Sequence, residues 1–510
     1  MSAGPPSLPA GLAPFRNPLT AAVAGAALLV AHAALFWRYT VDDAFISFRY
    51  AENWARGFGP VFNPGEWVEG YTNFLWVALL AVAHRVGLDA PVTAKLLGLA
   101  CAAGVLAATV VVVDRAWGRP AGWFGALLLA SSGIFAVNAV DGLETQAFTL
   151  ASWCSILLLA HERRRDAAFP ASLVLALVAV LLRPDGLLLV GAMLGLHGLE
   201  AVRRPQPVGL RRLAWALALT AAALVAYTTW RWDTYGELLP NTFFAKGGGS
   251  STLVVRGVER VGAFVGASGS VLVWALAAVG LGRRLPGSLG LLAAGWIALR
   301  LAFTVWSGGE WMGTHRFMAP ALPAIALLAV GGVHALHGFA RRRLAGAGAA
   351  ALAAACAIAV VSLNFGQAAA VRRAALGYAA ALERAHVTLG RALFAATGGS
   401  GSLACEDIGA LPYYSRLVTV DMLGLADRYI ARLPGAFYDK VDPAYILGRA
   451  PDWLVLISRT APPQAFVGRE KVEAGVYRHP WFGKRYRFEA TVSFAPEYNL
   501  CLFRRIAGPS

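Results

Sequence analysis

Residues 40–73 read TVDDAFISFRYAENWARGFGPVFNPGEWVEGYTN and follow the first long apolar run of the chain, residues 17–37. Two adjacent acids, Asp42 and Asp43, stand where that run ends. Carboxylates at the end of a membrane span are costly unless they face water or take part in chemistry. The segment is therefore predicted to form the rim of a functional site at the membrane surface.

The composition is that of a membrane protein. Of the 510 residues, 57% are hydrophobic and only 15% are charged. Apolar stretches long enough to cross a bilayer alternate with short Arg-rich or acidic loops, which predicts a polytopic α-helical protein of the cell membrane. The net charge of +16 comes from Arg clusters between the apolar stretches rather than from one basic face. That distribution is typical of cytoplasmic loops and excludes nucleic acid as a partner.

Residues 74–88 determine the predicted topology. They form an apolar run of only ~15 residues that contains His84 and Arg85, whereas a span needs ~20. If this run lies flat at the outer interface, nearly every Arg cluster falls on the cytoplasmic side, which gives about eleven spans, a cytoplasmic N-terminus and an extracytoplasmic tail. The predicted spans are residues 17–37, 91–113, 121–139, 143–160, 168–182, 186–201, 213–230, 262–281, 287–306, 318–338 and 345–363.

Three regions follow from this topology. Residues 1–16 are rich in Pro, Gly and Ala and are predicted to be a disordered cytoplasmic N-terminus, and residues 17–369 form the transmembrane domain. In residues 370–510 charges, Tyr and Pro return, and RLVTVDML, DWLVLIS and YNLCLFRR are typical of short strands after a helix. This tail is predicted to be a small extracytoplasmic α/β domain. Whether Cys405 and Cys501 pair there stays open, because sequence does not establish disulfide geometry.

The paired acids have two interpretations. Asp42 and Asp43 open a predicted short amphipathic helix, in which first-turn acids gain ~0.3–1 kcal/mol from the helix dipole. Alternatively, crowded carboxylates split their pKa values, which leaves one as a base and the other as an orienting group or acid. Their position at the mouth of the membrane favours the catalytic interpretation.

The polar loops predicted on the outer face favour glycosyl transfer as the reaction. Glycosyl transfer needs an oriented acceptor hydroxyl, a stabilised phosphate leaving group and the exclusion of water. Outside the cytoplasm there is no nucleotide sugar, so the expected donor is a sugar on a polyprenyl phosphate. The cations that can bind its phosphate are Arg183, Lys246, His315 and Arg316, although Arg183 can equally be a snorkelling interfacial residue.

Polar side chains in the same loops can bind the hydroxyl groups of the sugar or the acceptor, or can only cap helices. They are Glu69, Asn73, Asp141, Glu144, Asp185, Glu237, Asn241 and Glu310. No cluster of His, Cys and Asp has the spacing of metal ligands, so no structural metal or cofactor is predicted, and a metal requirement of the reaction stays open.

The order of these motifs resembles a known family. DDAFISFRYAENWARGFGPVFNPGEWVEGYTNFLW, DGLET, LRPDGLL, YGELLPNTFFAK, SGGEWMGTHRFMAPALP and the tail's EDIGALPYYS and TVDMLGLAD resemble the actinobacterial terminal β-arabinofuranosyltransferases, within the C-type (GT-C) superfamily of membrane glycosyltransferases. Glu310 stands where the family pattern has Asp. The resemblance implies a decaprenyl- or undecaprenyl-phosphoryl pentose or hexose donor and a glycan, lipid or protein acceptor of the cell envelope. It also implies that Asp42 and Asp43 are the catalytic pair.

Two other functions stay open at this point. A transporter or flippase of polyprenyl-linked sugars needs polar groups near the bilayer midplane, broken helices and an internal repeat. A non-catalytic assembly protein leaves the acidic rim unexplained.

Overall fold

The computed structural model describes residues 18–247, 251–282, 288–344, 346–462 and 464–506. The segment 1–16, predicted to be disordered, lies outside the described residues, as do Arg283 and Arg284 at the predicted cytoplasmic end of span 262–281.

Helices build the apolar part of the chain. They are α1 (Pro18–Ala34), α2 (Asp42–Ala55), α3 (Phe74–Arg85), α4 (Ala90–Trp117), α5 (Arg119–Ala130), α6 (Gly133–Val137), α7 (Thr145–Arg165), α8 (Ala171–Leu182), α9 (Leu187–Arg203), α10 (Pro207–Tyr235), α11 (Asn241–Ala245), α12 (Ser251–Ala267), α13 (Ser270–Leu281), α14 (Leu289–Ser307), α15 (Leu322–Ala340), α16 (Gly346–Leu382) and α17 (Thr388–Thr397). Short 3-10 turns precede α9 and α15, and a π-helical turn joins α16 to α17.

Six helices among the described residues are long and apolar enough to cross a membrane, and the bent pair α12–α13 makes seven if it is one span. Helices also stand at the other predicted spans, but they are shorter or less apolar; α1 has 17 residues and α8 has 12. Helix α3 has 12 residues, too few to cross a bilayer, and packs against α2, α4 and α8. The chain thus has several potential spans, and the total of about eleven stays a prediction.

Two predicted spans are not continuous helices. Within residues 262–281, α12 and α13 meet at an angle of 91°. Gly269 precedes α13 with φ 102°, a left-handed value that interrupts a helix. Within residues 121–139, α5 ends at Ala130, and the Ser132 hydroxyl caps α6 by accepting the N–H of Phe135 at 3.3 Å. Hydropathy does not reveal such breaks, because the run stays apolar on both sides.

The Arg-rich loops meet as the topology predicts. Arg163, near the end of α7, and Arg212, in α10, both pair with Glu200 of α9. The two Arg residues were predicted in cytoplasmic loops, and Glu200 lies at the end of the predicted span 186–201. The polar loops after α1, α6, α8, α11 and α14 converge at a separate place, described below. The assignment of these ends to the two sides of the membrane stays a prediction.

The tail contains a five-stranded mixed sheet. Its strands are β1 (Ser402–Cys405), β2 (Val418–Asp421), β3 (Trp453–Ser458), β4 (Tyr486–Ala495) and β5 (Tyr498–Arg505), in the order β2-β1-β3-β5-β4. β1 is parallel to β2 and β3, whereas β5 is antiparallel to β3 and β4. The accompanying helices are α18 (Ala410–Ser415), α19 (Arg428–Ala431), α20 (Pro443–Gly448), α21 (Lys471–Arg478) and α22 (Phe482–Arg485). Three of the strands were predicted, and β1 and β4 are additional.

The tail is packed onto the helical part rather than tethered to it. Helix α16 runs unbroken through residue 370, so the predicted domain boundary lies inside a helix. Buried Arg49 of α2 donates to the carbonyl oxygens of Phe62 at 2.8 Å, Pro412 at 2.8 Å and Leu417 at 2.7 Å. One apolar cluster continues from the helices into the inner face of the tail. The tail is therefore placed over α2 by buried contacts.

The two tail cysteines do not form a disulfide. Cys405 of β1 and Cys501 of β5 are both buried and free. The Cys501 thiol lies 3.6 Å from the Thr491 hydroxyl, and the Cys405 thiol lies 3.4 Å from the carbonyl oxygen of Asp407. The pairing that the sequence left open is absent from this structure.

Candidate active site

The two acids of α2 have different surroundings, and Asp42 is the one held by the tail. Its carboxylate accepts the backbone N–H of Ala410 at 2.8 Å, and its own N–H donates to the Tyr378 hydroxyl at 3.1 Å. A Cβ on Gly409 would overlap the carbonyl and carboxylate oxygens of Asp42. Burial raises the pKa of Asp42 to about 7, against the opposing charge of His386. Asp42 is therefore protonated over much of the range below neutral pH.

Asp43, the next residue, is half-buried, as Asp42 is. Within the described ranges no hydrogen bond or ion pair holds its carboxylate. Its charge acts on two cations, Lys246 and Arg316, and on the hydroxyls of Tyr39 and Tyr378. An accessible carboxylate with cations nearby and no structural partner is suited to act as a base.

Two cations share the space around Asp43. Lys246 follows α11 and is exposed to solvent. Arg316, in the loop before α15, donates to Glu144 at 2.8 Å, and its Nε has no hydrogen-bond partner among the described residues. Although burial opposes the shift, the carboxylates of Glu144 and Asp141 raise the pKa of Arg316. The exposed ammonium group of Lys246 is thus available to bind an anion, and the Arg316 guanidinium adds positive charge behind it.

Glu144 joins several loops at this place. Asn73, just before α3, donates to Glu144 Oε2 at 2.8 Å and to the Ser47 hydroxyl of α2 at 3.0 Å. Arg183 approaches the other carboxylate oxygen at 4.0 Å. With Arg316, these contacts join α2, the starts of α3 and α7, the end of α8 and the loop before α15.

A buried network of charged side chains lies next to Glu144. Arg183 donates to both oxygens of Asp185, at 2.9 and 3.1 Å. Arg300, inside α14, donates to the same carboxylate at 2.6 Å and to the carbonyl oxygen of Phe317. The N–H of Phe317 in turn donates to Glu310 at 3.3 Å. Both oxygens of Asp185 are thus engaged with protein groups, which favours a positioning role for Asp185 over the predicted contact with sugar, whereas Arg183 Nη1 has no hydrogen-bond partner among the described residues.

Asp141 lies deeper than the acid pair and is 1% exposed. One carboxylate oxygen accepts the N–H of Leu143 at 2.9 Å, and the other has no hydrogen-bond partner in the described part of the chain. Its carbonyl oxygen accepts the N–H of Val41 at 3.1 Å, directly before α2. Burial raises the pKa of Asp141 to about 7. Asp141 therefore connects the α6–α7 loop to the start of α2.

Three predicted sugar-binding residues lie instead in a second cluster, between α10, α11 and the tail. Glu69 is buried and pairs with Arg231 at 2.6 Å. Glu237 pairs with Arg432 of the tail at 2.6 Å. Asn241 donates to the carbonyl oxygens of residues 424, 425 and 427. The structure therefore favours a docking role for these residues, because their polar groups are already used.

His315 also has surroundings that differ from the predicted ones. It adopts a left-handed φ of 54°, and its ring packs edge-on against Phe264. Burial and, to a lesser extent, the nearby charge of Arg260 lower the pKa of His315 to about 4. A neutral imidazole at physiological pH does not supply the cation that was predicted to bind phosphate.

Several residues that shape the site were not singled out from the sequence. Tyr39 lies buried between the charges of Asp141, Asp43 and Arg316. Arg300 carried a usable signal, since a charge inside a predicted span is expensive and marks a buried partner. Tyr378 and Ala410 carried none, because a tyrosine hydroxyl and a backbone N–H contact Asp42 from more than 300 residues away.

The described residues contain no group of three or more His, Cys, Asp and Glu side chains that can hold a metal ion. A cavity of about 690 Å³ lies in the tail, lined by residues that include Trp453, Arg485, Arg504 and Arg505. None of the predicted site residues lines it.

Comparison with known proteins places this site in context. Residues 375–503 match a family described as a domain of unknown function (DUF8728). The chain is 26% identical over 238 residues to a terminal beta-(1->2)-arabinofuranosyltransferase of Mycobacterium tuberculosis, a match that covers 41% of this chain and 35% of the relative. It is 26% identical over 347 residues to the protein of the same name in Corynebacterium glutamicum, covering 58% and 49%. The chain thus spans less than half of these relatives, and the resemblance predicted from the motifs is confirmed.

A solved structure shows the same fold over nearly the whole chain. ArnT from Cupriavidus metallidurans, bound to undecaprenyl phosphate, superposes with a TM-score of 0.58 and 16% identity, covering 96% of this chain and 99% of that one. The chain therefore shares the fold of this structure, as expected from the resemblance to GT-C membrane glycosyltransferases.

Proposed function

We propose that this chain is a membrane glycosyltransferase that moves a sugar from a polyprenyl-phosphate donor to an acceptor of the cell envelope. The observation that carries the proposal is the accessible carboxylate of Asp43 beside Lys246 and Arg316, on a fold shared with a structure that holds undecaprenyl phosphate. A base and an anion-binding pair on one rim are what transfer from a lipid phosphate needs.

Each charged group has a separate role in a direct displacement. Asp43 accepts the proton of the acceptor hydroxyl as its oxygen bonds to the anomeric carbon of the donor. The bond from that carbon to the phosphate oxygen breaks, and the negative charge on the departing lipid phosphate increases. Lys246 and the positive charge of Arg316 stabilise this charge.

Asp42 acts through its neighbour in this scheme. A proton on Asp42 removes one of two adjacent negative charges at the start of α2. The contacts from Ala410 and Tyr378 fix the first turn of α2 and therefore the position of Asp43. The sequence predicted a catalytic role for both acids, whereas the geometry favours Asp43 as the base and Asp42 as a positioning residue.

The substrates are proposed from the relatives and the topology. The two curated relatives favour arabinofuranose as the sugar, carried on decaprenyl or undecaprenyl phosphate, and a glycan, lipid or protein of the envelope as the acceptor. The protein is a multi-pass protein of the cell membrane, with a cytoplasmic N-terminus, an extracytoplasmic tail and the site on the outer face.

The test is transfer by purified protein in detergent, with a panel of polyprenyl-phosphate pentoses and hexoses as donors and mass spectrometry of the product. Asp43→Asn should lower transfer by ~10²–10⁴-fold, the usual contribution of a general base. Asp42→Asn should cost less, because the amide resembles a protonated carboxyl and keeps an oxygen for Ala410. Glu383→Gln, which removes an exposed carboxylate, is the control and should leave the rate unchanged.

Three outcomes would contradict the proposal. Full activity of folded Asp43→Asn would remove this residue from the mechanism. Donor movement across vesicles without any transfer in detergent would favour a flippase, since detergent solution has no compartments. Absence of both activities across the panel would favour an assembly protein.

A further inference from the structure

The loop between α14 and α15 presents a large aromatic side chain next to the acid pair. Trp311 is 51% exposed. It follows Glu310, whose carboxylate accepts a backbone N–H within the same loop. Its indole packs against the ring of Tyr378 of α16, with centroids 5.9 Å apart. One face of the ring is thus supported by protein while much of the side chain stays open.

Tyr378 links this indole directly to the proposed site. Its hydroxyl accepts the N–H of Asp42, and its ring lies 5.7 Å from that of Tyr39 and 5.7 Å from that of Phe494 in β4. The aromatic row therefore begins under the tail, passes the start of α2 and ends at the open face of Trp311.

A second exposed tryptophan shows what an ordinary surface position looks like. Trp306 is 75% exposed near the end of α14, and its ring contact is with Phe303 of the same helix. That arrangement is typical of an aromatic residue in the membrane interface. Trp311 differs because it packs across the structure, against a residue that also contacts Asp42.

A sugar ring presents C–H groups on one face and hydroxyl groups around its edge. Binding sites for such molecules combine aromatic surface with a few convergent polar groups. Around Asp43 the cations Lys246 and Arg316 mark the side of the donor phosphate. Tyr438 of the tail, 44% exposed, adds another hydroxyl within reach of the charge of Asp43.

We propose that Trp311, backed by Tyr378, forms the subsite on which a sugar ring of the acceptor stacks, so that an acceptor hydroxyl reaches Asp43. The inference deepens the proposed function and rests on it. The acceptor class that fits is a glycan, or a glycosylated lipid or protein, whose terminal ring can cover the indole. A bare lipid or peptide hydroxyl does not use this surface.

The kinetic test compares Trp311→Ala, Trp311→Phe and Trp306→Ala. Loss of one aromatic contact should raise the KM for a glycan acceptor by about threefold to tenfold in Trp311→Ala, with the donor KM unchanged. Trp311→Phe should recover most of the loss, and Trp306→Ala should match the unaltered protein. Equal effects of both alanine variants, or a raised donor KM in Trp311→Ala, would overturn the subsite.

A binding test separates failure of this inference from failure of the proposed function. Asp43→Asn protein is titrated with synthetic arabinofuranosyl and hexosyl oligosaccharides, and binding is measured by calorimetry without turnover. Saturable binding that Trp311→Ala weakens in this background supports the subsite even if transfer is never observed. Binding of equal strength with and without Trp311, or no binding across the panel, overturns it while leaving the transfer assay to decide the function.

Discussion

Gly409→Ala tests whether the tail positions the acid pair. Gly409 precedes α18, and a Cβ at this position would lie well inside van der Waals contact with the carbonyl and carboxylate oxygens of Asp42. Both neighbours are held, since Asp42 is bonded to Ala410 and Tyr378. Relief of the overlap therefore requires α18 and the first turn of α2 to separate by on the order of 1 Å, given ordinary contact distances of ~3.5 Å.

The size of the effect follows from that displacement. A misplacement of about 1 Å near the reacting groups costs about 10²-fold in rate, and overpacking a buried contact costs ~1–3 kcal/mol of stability. Gly409→Ala should thus fold with a modestly lower thermal midpoint and lose transfer activity by about two orders of magnitude in kcat. The assay is steady-state transfer in detergent, with thermal unfolding measured on the same samples.

Gly448→Ala is the matched control, because Gly448 ends α20 in the same tail and an added Cβ meets no atom within 4 Å. A folded Gly409→Ala protein with kcat within about threefold of the unaltered protein would refute the positioning argument. If Gly409→Ala cannot be recovered folded, Asp42→Asn and Asp42→Ala test the same contact. Only the Asn side chain keeps an acceptor for the N–H of Ala410, so equal kcat values would refute the argument as well.

Two further predictions concern the charges around the pair. Arg316→Gln should lower kcat by ~10²–10³-fold, because it removes a positive charge proposed to stabilise the leaving phosphate, and Arg316→Lys should recover part of the loss; unchanged kcat in steady-state transfer would exclude that role. Burial raises the pKa of Asp141 from 3.8 to about 7, so the folded protein keeps a proton that the unfolded chain releases, and stability should fall as pH rises across that interval. Asp141→Asn removes this pH dependence. The gain in free energy of unfolding relative to the unaltered protein should therefore be larger at pH 8 than at pH 4, by up to about 4 kcal/mol, and the thermal midpoints should shift in the same direction. Equal pH profiles of the two proteins would contradict the prediction.

The charge pattern of the sequence predicted which loops come together. Arg163 and Arg212 were assigned to one side from the clustering of Arg, and both pair with Glu200. Asp43 and Arg316 were assigned to the other end, where they lie within electrostatic range of each other. A charge pattern can indicate such groupings because the cost of burying charge in a bilayer is a property of each segment.

Contacts made by the backbone were beyond reach of the sequence. Arg49 looks like an ordinary charge on an amphipathic helix, yet it is buried and bonded to carbonyl oxygens more than 360 residues away. Glu69 was predicted to bind sugar but pairs with Arg231, since each is the nearest partner for the other once α10 packs beside the loop. Every residue type has a backbone carbonyl, so the sequence does not indicate which carbonyl a buried Arg contacts. The partner of a charged side chain likewise depends on packing, so the motif around Glu69 did not indicate Arg231.

The different roles of the two acids arise from this long-range packing. Adjacent residues at the start of a helix project about 100° apart, so one face of the turn meets the tail and the other meets the cations. The tail desolvates Asp42, and desolvation raises its pKa, whereas no hydrogen bond within the described residues holds the carboxylate of Asp43. A local motif of two identical residues thus becomes an asymmetric pair only when Gly409 and Ala410 close over one of them. The tail is for this reason part of the site, and a variant that loosens its contact with α2 should lose activity before it loses its helices.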